Sequence, residues 1–149
     1  MKKIFLLIIS LFLFVPLAET SELAGRFGIG VNWPGVQLRY CVTDNFIAEV
    51  KAQFSSNNTI VGGRGYYIFL KVPGNALLFP YVGVEADGII SPYLTGGYTA
   101  GGFIGVEVLV ASHIGIGADA GLYYVDLYST RGTFNDYGLI FNGGLTYYF

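Results

Sequence analysis

Residues 137–149 read YGLIFNGGLTYYF, and large apolar side chains occupy nearly every second position. A period of two is that of a β-strand, because successive side chains of a strand point to opposite faces. The other face of this segment is mostly small or polar. The apolar face consists of Tyr137, Leu139, Phe141, Gly143, Leu145, Tyr147 and Phe149. The segment therefore predicts a strand with one strongly apolar surface.

Alternation of the same kind recurs upstream, in about seven further segments. The five most regular are residues 27–33, 36–42, 46–54, 98–108 and 114–124. Turn signals rich in Gly, Pro, Asn, Asp and Ser separate the eight segments. These signals lie at 33–35, 43–45, 55–58, 73–75, 88–97, 111–112 and 129–136. Seven connections between eight strands predict an all-β fold, an eight-stranded antiparallel up-and-down barrel.

Two segments are irregular, and each predicts a local departure from a plain strand. In residues 60–72 the charged Arg64 shares a face with the apolar Ile68, which predicts a β-bulge near Tyr66. In the fifth segment Pro80 cannot donate a backbone hydrogen bond to a neighbouring strand. We therefore expect Pro80 near the start of its strand.

The N-terminus has the pattern of an export signal. Lys2 and Lys3 precede an apolar run at 4–15, which is shorter than the ~20 residues of a spanning helix. Residues 1–20 are predicted to be a signal peptide cleaved between 18 and 25, and 21–149 to be the barrel. An uncleaved anchoring helix is the alternative. Cleavage after Ala18 would change the formal net charge from −2 to −4, which disfavours a nucleic-acid partner.

Composition indicates which face of the barrel meets lipid. The chain is 53% hydrophobic and only 12% charged, too apolar for an ordinary soluble domain of this size. A soluble ligand-carrying barrel also alternates, with its apolar face inward and its polar face in water. Here the polar face is mostly glycine with few charges, which suits a narrow lumen better than a water-exposed surface. We therefore predict a transmembrane β-barrel with its apolar face outward.

The charged residues of the polar faces form a nearly balanced set, which is predicted to pair across the lumen because an unpaired buried charge is costly. The predicted lumen charges are Arg26, Arg39, Glu49, Lys51, Arg64, Glu85, Asp87, Glu107 and Asp119. Aromatic residues fall at the ends of the outward rows and predict two girdles at the membrane interfaces. The predicted girdle residues are Trp33, Phe46, Phe54, Tyr98, Tyr124, Tyr137 and Tyr147.

The last strand, with Phe141, Leu145, Tyr147 and a final Phe149 at alternate positions, resembles the C-terminal strand of bacterial outer-membrane proteins. In that family this strand is a signal for the barrel-assembly machinery. The predicted barrel as a whole resembles the small eight-stranded barrels of the OmpA and OmpX type. The resemblance implies a location in the outer membrane, with outer-membrane lipids and the assembly machinery as partners.

Residues for catalysis or cofactor binding are scarce. His113 is the single histidine, and adjacent residues such as Ser112 and His113 point to opposite faces of a strand, so they do not predict a nucleophile pair. One His and one Cys, Cys41, predict neither a metal site nor an internal disulfide. Glu85 and Asp87 share a face and could bind a cation, but pairing with Arg or Lys is the expected arrangement. No cofactor is expected.

The sequence thus predicts a structural or interaction barrel of the outer membrane, with a narrow polar lumen filled by side chains and no enzymatic activity. Two alternatives stay open. One is a small passive pore or a lipid-interacting barrel, and the other is a soluble periplasmic ligand-binding barrel.

Overall fold

The computed structural model describes residues 23–74, 76–92, 96–130 and 132–149, so the predicted signal peptide lies outside the described residues. In this part of the chain eight antiparallel strands form one closed barrel in sequence order, which confirms the predicted all-β, up-and-down architecture. No helix in these ranges is long and apolar enough to cross a membrane. The strands are β1 (Phe27–Asn32), β2 (Gly35–Cys41), β3 (Phe46–Phe54), β4 (Thr59–Ile68), β5 (Leu77–Ile90), β6 (Gly96–Ala111), β7 (Ile114–Ser129) and β8 (Gly132–Tyr148).

Burial follows the alternation of the sequence. In β2 the polar Gln37 and Arg39 are buried, whereas Val36 and Leu38 are exposed. In β5 the charged Glu85 is buried between exposed neighbours on the outward face. The barrel thus has charged and small residues inside and apolar residues outside, the reverse of a soluble barrel.

The β4 segment differs from its prediction. Pairing is continuous from Thr59 to Tyr67 on the β3 side of β4 and from Thr59 to Ile68 on the β5 side, without a bulge near Tyr66. Tyr66 and Ile68 both point inward with Arg64 and are buried. The prediction of a bulge was wrong because it assumed that Ile68 faces outward, whereas apolar residues also fill the end of this lumen. A register shift is found instead between Leu109 and Ala111, in β6.

The β7–β8 connection also differs from its prediction. The turn signal at 129–136 predicted that all of these residues connect the two strands, but β7 continues to Ser129 and β8 begins at Gly132. Asp136 is therefore a strand residue, although it is exposed. Strong cross-strand pairing of tyrosine-rich strands overrides the turn propensity of Gly, Asn and Asp here. Pro80 is the fourth residue of β5, close to its start as expected.

The register gives the barrel a sloping wall. Tracing paired residues from Asn32 around the barrel reaches Phe134 on β8, whereas Asn32 itself pairs with Gly144, ten positions further along. Such a stagger accompanies strand tilts of about 35–45°. We call the end with the 42–45, 69–76 and 112–113 connections the base, and the opposite end the rim. The wall is lowest at the rim of β1 and β2 and highest at β7 and β8.

The narrow interior requires glycine wherever an aromatic ring lies against the wall. A Cβ atom on Gly105 of β6 would lie 2.5 Å from Cζ of Tyr81, a distance that real Cβ atoms do not adopt. The Tyr81 ring is held on its other sides by Tyr66 and Phe103, whose ring centroids lie 4.9 and 6.1 Å away. Neither the strand nor the ring has room to move.

Gly105→Ala should therefore lower the free energy of unfolding by about 1–3 kcal/mol, the usual cost of overpacking. The matched control is Gly102→Ala on the same strand, because its Cβ would lie 3.7 Å from the nearest atom, the backbone oxygen of Gly83. Urea unfolding of the refolded barrel in detergent micelles measures both. Equal stability of the two variants would contradict close packing at Tyr81.

Candidate functional site

Eight of the nine predicted lumen charges lie in the interior of the barrel. Each is at most 8% exposed. They come from six consecutive strands, and strand pairing places four of them side by side with alternating sign. This row runs Arg39, Glu49, Arg64 and Glu85, each directly opposite the next on β2, β3, β4 and β5. Opposite charges at directly paired positions stabilise a sheet, so the row supports the observed register.

Arg64 is the centre of this network. Its Nε lies 2.6 Å from Oε2 of Glu85, and its Nη2 donates a hydrogen bond of 2.9 Å to Oδ1 of Asp119 across the lumen. Its Nη1 lies 3.7 Å from Oε1 of Glu49. The guanidinium group also stacks over the Phe103 ring at 4.0 Å. One side chain thus connects carboxylates from three strands.

Two further cations complete the pairing. Arg39 contacts Glu49 at 2.6 Å and Glu107 at 2.5 Å. Lys51 forms an ion pair with Glu85 and lies 3.6 Å from Asp87. Glu85 and Asp87 therefore share a lysine, the arrangement expected from the sequence in preference to a bound cation.

Tyrosine hydroxyls donate further hydrogen bonds to the carboxylates, which outnumber the cations of the network. The network holds three cations, Arg39, Lys51 and Arg64, but five carboxylates. Tyr123 donates to Glu85 at 3.0 Å, and Tyr148 donates to Glu107 at 2.6 Å.

These interior tyrosines were not predicted from the sequence. Tyr81 donates in the same way to Asp119 at 3.3 Å. Their signal was present, since Tyr81, Tyr123 and the buried Phe103 share the parity of the charged residues on their strands. The lumen prediction was limited to the charged residues of these faces and therefore left the tyrosines out.

Arg26 is the exception among the predicted lumen charges. It precedes β1 and is half-buried at the base, where its Nη1 donates to the backbone oxygen of Ser112 at 2.9 Å. Its Nε donates to the backbone oxygen of Phe149 at 3.3 Å. The position of Arg26 was predicted by extending the alternation of β1 one residue too far. It joins the start of β1 and the C-terminal residue to the β6–β7 turn and makes no ion pair with the network.

Apolar side chains close the base of the lumen. The buried cluster contains Leu23, Cys41, Ile47, Ile68, Leu77, Phe79 and Leu109. Leu23 is fixed there because its backbone N–H and that of Ala24 donate to Oδ1 of Asp44, at 2.8 and 3.0 Å. These two hydrogen bonds lower the pKa of the Asp44 carboxyl from its ordinary value. The base of the barrel is therefore plugged, and the ionic network lies above the plug.

The predicted girdle residues lie on the outer face, and all but the half-buried Tyr124 are exposed. Near the rim, Tyr98, Tyr124 and Tyr137 form one cluster. The ring centroid of Tyr124 lies 6.1 Å from that of Tyr98 and 5.2 Å from that of Tyr137. Near the base, the ring of Tyr147 packs against that of Phe149 at 5.2 Å. Phe46 lies at the base and Phe54 at the rim of β3.

Trp33 is not level with the other girdle residues of the rim. It follows β1, and its N–H donates to the backbone oxygen of Gly143. Gly143 is about 20 Å along β8 from Tyr137, at ~3.3 Å per residue. Trp33 lies closer to the base than the other rim aromatics because β1 ends early on the rim side.

The residues considered for catalysis lie apart from the ionic network. Ser112 and His113 form the exposed turn between β6 and β7 at the base. The His113 Nδ1 atom lies 2.9 Å from both Nη2 of Arg26 and the backbone oxygen of Tyr148. In the described ranges no group of three or more His, Cys, Asp or Glu side chains could hold a metal ion.

Comparisons with protein-family models, with curated proteins and with solved structures found no match to this chain.

Arg64→Leu should destabilise the barrel by about 3–5 kcal/mol, because it leaves buried carboxylates without their shared cation. Arg64→Lys should lose less, since it keeps the charge but not the guanidinium fork. Thermal unfolding in micelles, followed by gel mobility, ranks the variants. Unchanged stability together with altered ion selectivity in a bilayer would mean that these charges line an open pore.

Proposed function

We propose that this chain is an outer-membrane β-barrel with a structural or interaction role, a side-chain-filled lumen and no catalytic activity. The observation that carries the proposal is the inverted distribution of polarity in a closed barrel. Charges are buried and paired inside, and the large apolar residues with the greatest exposed fractions outside are Trp33 and Phe141, at 86% and 76%. Strand pairing satisfies the backbone groups around the barrel, except along β8 beyond the rim end of β1, and such internal pairing is the condition for spanning lipid.

The apolar surface has the dimensions of a bilayer core. On β8 it extends from Tyr137 to Phe149, about 40 Å along the strand at ~3.3 Å per residue. With a tilt of about 40° this corresponds to about 30 Å along the barrel axis. Transmembrane barrels carry an apolar band about 25 Å tall between aromatic girdles. Tyr137 and the ring pair of Tyr147 and Phe149 lie at the ends of this surface.

The alternatives are less well supported by the same observations. A soluble ligand-binding barrel needs an apolar interior cavity, whereas this interior is filled by ion pairs and aromatic rings. A passive pore needs a continuous aqueous path, whereas Leu23 and its neighbours close the base. The excess of carboxylates over cations would make any current cation-selective.

The protein should fractionate with outer membranes and migrate differently on gels before and after boiling, because a closed hydrogen-bonded barrel resists detergent until it is heated. Membrane separation on a density gradient, followed by gels of boiled and unboiled samples, tests this expectation. Recovery from the soluble periplasm without detergent would favour the ligand-binding alternative.

We further propose that the end of β8 directs assembly, as its resemblance to outer-membrane proteins implies. This strand closes the barrel. The Phe149 N–H donates to the backbone oxygen of Phe27 at 2.8 Å, and the Tyr148 N–H donates to that of His113 at 2.7 Å. Tyr147 and Phe149 also contribute outward aromatic rings at the base, so the same residues combine recognition with closure.

Deletion of Phe149 should reduce the yield of folded barrel in cells at least several-fold, since it removes a closing hydrogen bond and a lipid-facing ring. Asp136→Asn is the control, because Asp136 is exposed near the rim of the same strand. The heat-modifiable fraction in isolated membranes gives the yield. Equal yields for the two variants would remove the basis for an assembly role of Phe149.

A further inference from the structure

A buried carboxylate lies on the outer face of the barrel near the rim. Asp126 shares the outward parity of Tyr124 and Tyr128 on β7, yet it is only 8% exposed. Its direct neighbours across the sheet are Tyr98 on β6 and Asn135 on β8. A residue that alternation places on the lipid-facing side is thus enclosed by its neighbours.

Tyrosines occupy the same-face positions next to Asp126, with Tyr98 opposite it on β6 and Tyr124 and Tyr128 two residues away along β7. The Tyr98 ring centroid lies 6.1 Å from that of Tyr124 and 6.4 Å from that of Tyr128, and the Tyr137 ring continues the group beyond Tyr124. We call Asp126 with these four tyrosines the rim cage. Three of its rings are predicted girdle residues, whereas the buried carboxylate beside them was not predicted from the sequence.

One oxygen of the carboxylate has no donor. The Tyr128 hydroxyl donates to Oδ2 of Asp126 at 3.1 Å. Oδ1 is buried and makes no hydrogen bond to any residue that the structure describes. The cations of the lumen are committed to other carboxylates on the opposite face of the wall. A buried carboxylate oxygen without a partner is costly, so this arrangement favours a ligand that brings both a positive charge and a hydrogen-bond donor.

We propose that the rim cage binds a primary alkylammonium group, presented either by a lipid headgroup or by a free amine. An ammonium group supplies the missing N–H donor for Oδ1 and the charge that neutralises Asp126. The faces of tyrosine rings attract cations within about 6 Å of their centroids. A quaternary ammonium group has the charge but no N–H and cannot satisfy Oδ1. The lipid source rests on the proposed function, which places this girdle at the headgroup level.

Access to the cage requires only side-chain motion. Tyr98 and Tyr128 are about two-fifths exposed, and Tyr137 is more exposed still. Exposed side chains change rotamer on the picosecond-to-nanosecond timescale, so a ring can move aside without a change in the backbone.

The test uses the full barrel in phosphocholine-based detergent micelles, with tyrosine rings labelled for NMR. Butylammonium should shift the Tyr98, Tyr124 and Tyr128 resonances saturably, and tetramethylammonium should bind at least about tenfold more weakly for lack of an N–H. Asp126→Asn should weaken butylammonium binding by about tenfold or more. Asp136→Asn, which removes an exposed carboxylate from the neighbouring strand, should leave it unchanged.

Tyr128→Phe is a second variant, which shows whether a change within the rim cage by itself prevents folding or butylammonium binding. Tyr128→Phe keeps the ring but removes the donor to Oδ2, so the barrel should fold and retain binding within a few-fold. Arg131→Ala tests whether a cation of the chain itself pairs with Asp126. If Arg131→Ala alone reproduces the resonance changes of Asp126→Asn, an intramolecular pair accounts for the carboxylate and the proposal is overturned.

Phosphatidylethanolamine added to the micelles distinguishes the two sources. Displacement of butylammonium by this lipid, with phosphatidylglycerol inert, identifies a headgroup site. Displacement by neither, with butylammonium still bound, identifies a site for free amines. Absence of a saturable shift with both probes, or equal affinity in wild type and Asp126→Asn, overturns the proposal. The binding experiment tests the rim cage, and the membrane fractionation tests the proposed function, so either proposal can fail without the other.

Discussion

An eight-stranded barrel encloses just enough space for its own inward side chains, and this limit governs the rest of the structure. Each inward position must be either small or matched to a partner across the lumen. Gly105 leaves room for Tyr81, and Gly121 does the same for the ring of Tyr123. Charges in so small a space must pair with one another, because bulk water cannot solvate them. The pairing of Arg64 with three carboxylates follows from this confinement.

Confinement also explains which features could be predicted from the sequence. The period of two determines the face of each side chain, so the inward position of Glu49, Lys51 and Asp119 was predictable. Partners were not predictable, because the contact between Arg64 and Asp119 depends on the stagger accumulated over several strands. Ile68 was placed on the wrong face for a related reason. Hydrophobicity alone does not distinguish an apolar plug inside the base from an apolar surface outside.

The same stagger makes the seam between β1 and β8 the least continuous part of the wall. β8 pairs with β7 along nearly its whole length, but with β1 only over residues 144–148. Within the described ranges, residues 132–142 of β8 have no neighbouring strand on the side of β1. Since Gly143 bonds toward β1, the backbone groups of Leu139 and Phe141 point to this open edge as well. These groups need water or a partner, so the rim near β1 is where lipid contact is least favourable.

Tyrosine hydroxyls stabilise buried carboxylates on both faces of the barrel wall. The chain has twelve tyrosines, and its ten acidic residues outnumber its eight basic ones. A phenol donates a hydrogen bond to a carboxylate without adding a second charge, and burying a hydroxyl costs far less than burying an unpaired cation. In the lumen, Tyr148 stabilises Glu107 in this way, and on the outer face Tyr128 does the same for Asp126. The difference lies in the remaining oxygens. Glu107 also forms an ion pair with Arg39, so both of its oxygens have partners in the folded barrel. Asp126 lies among tyrosine rings but has no cation among the described residues, and its Oδ1 has no hydrogen-bond donor. The carboxylate of Asp126 can therefore still bind a ligand.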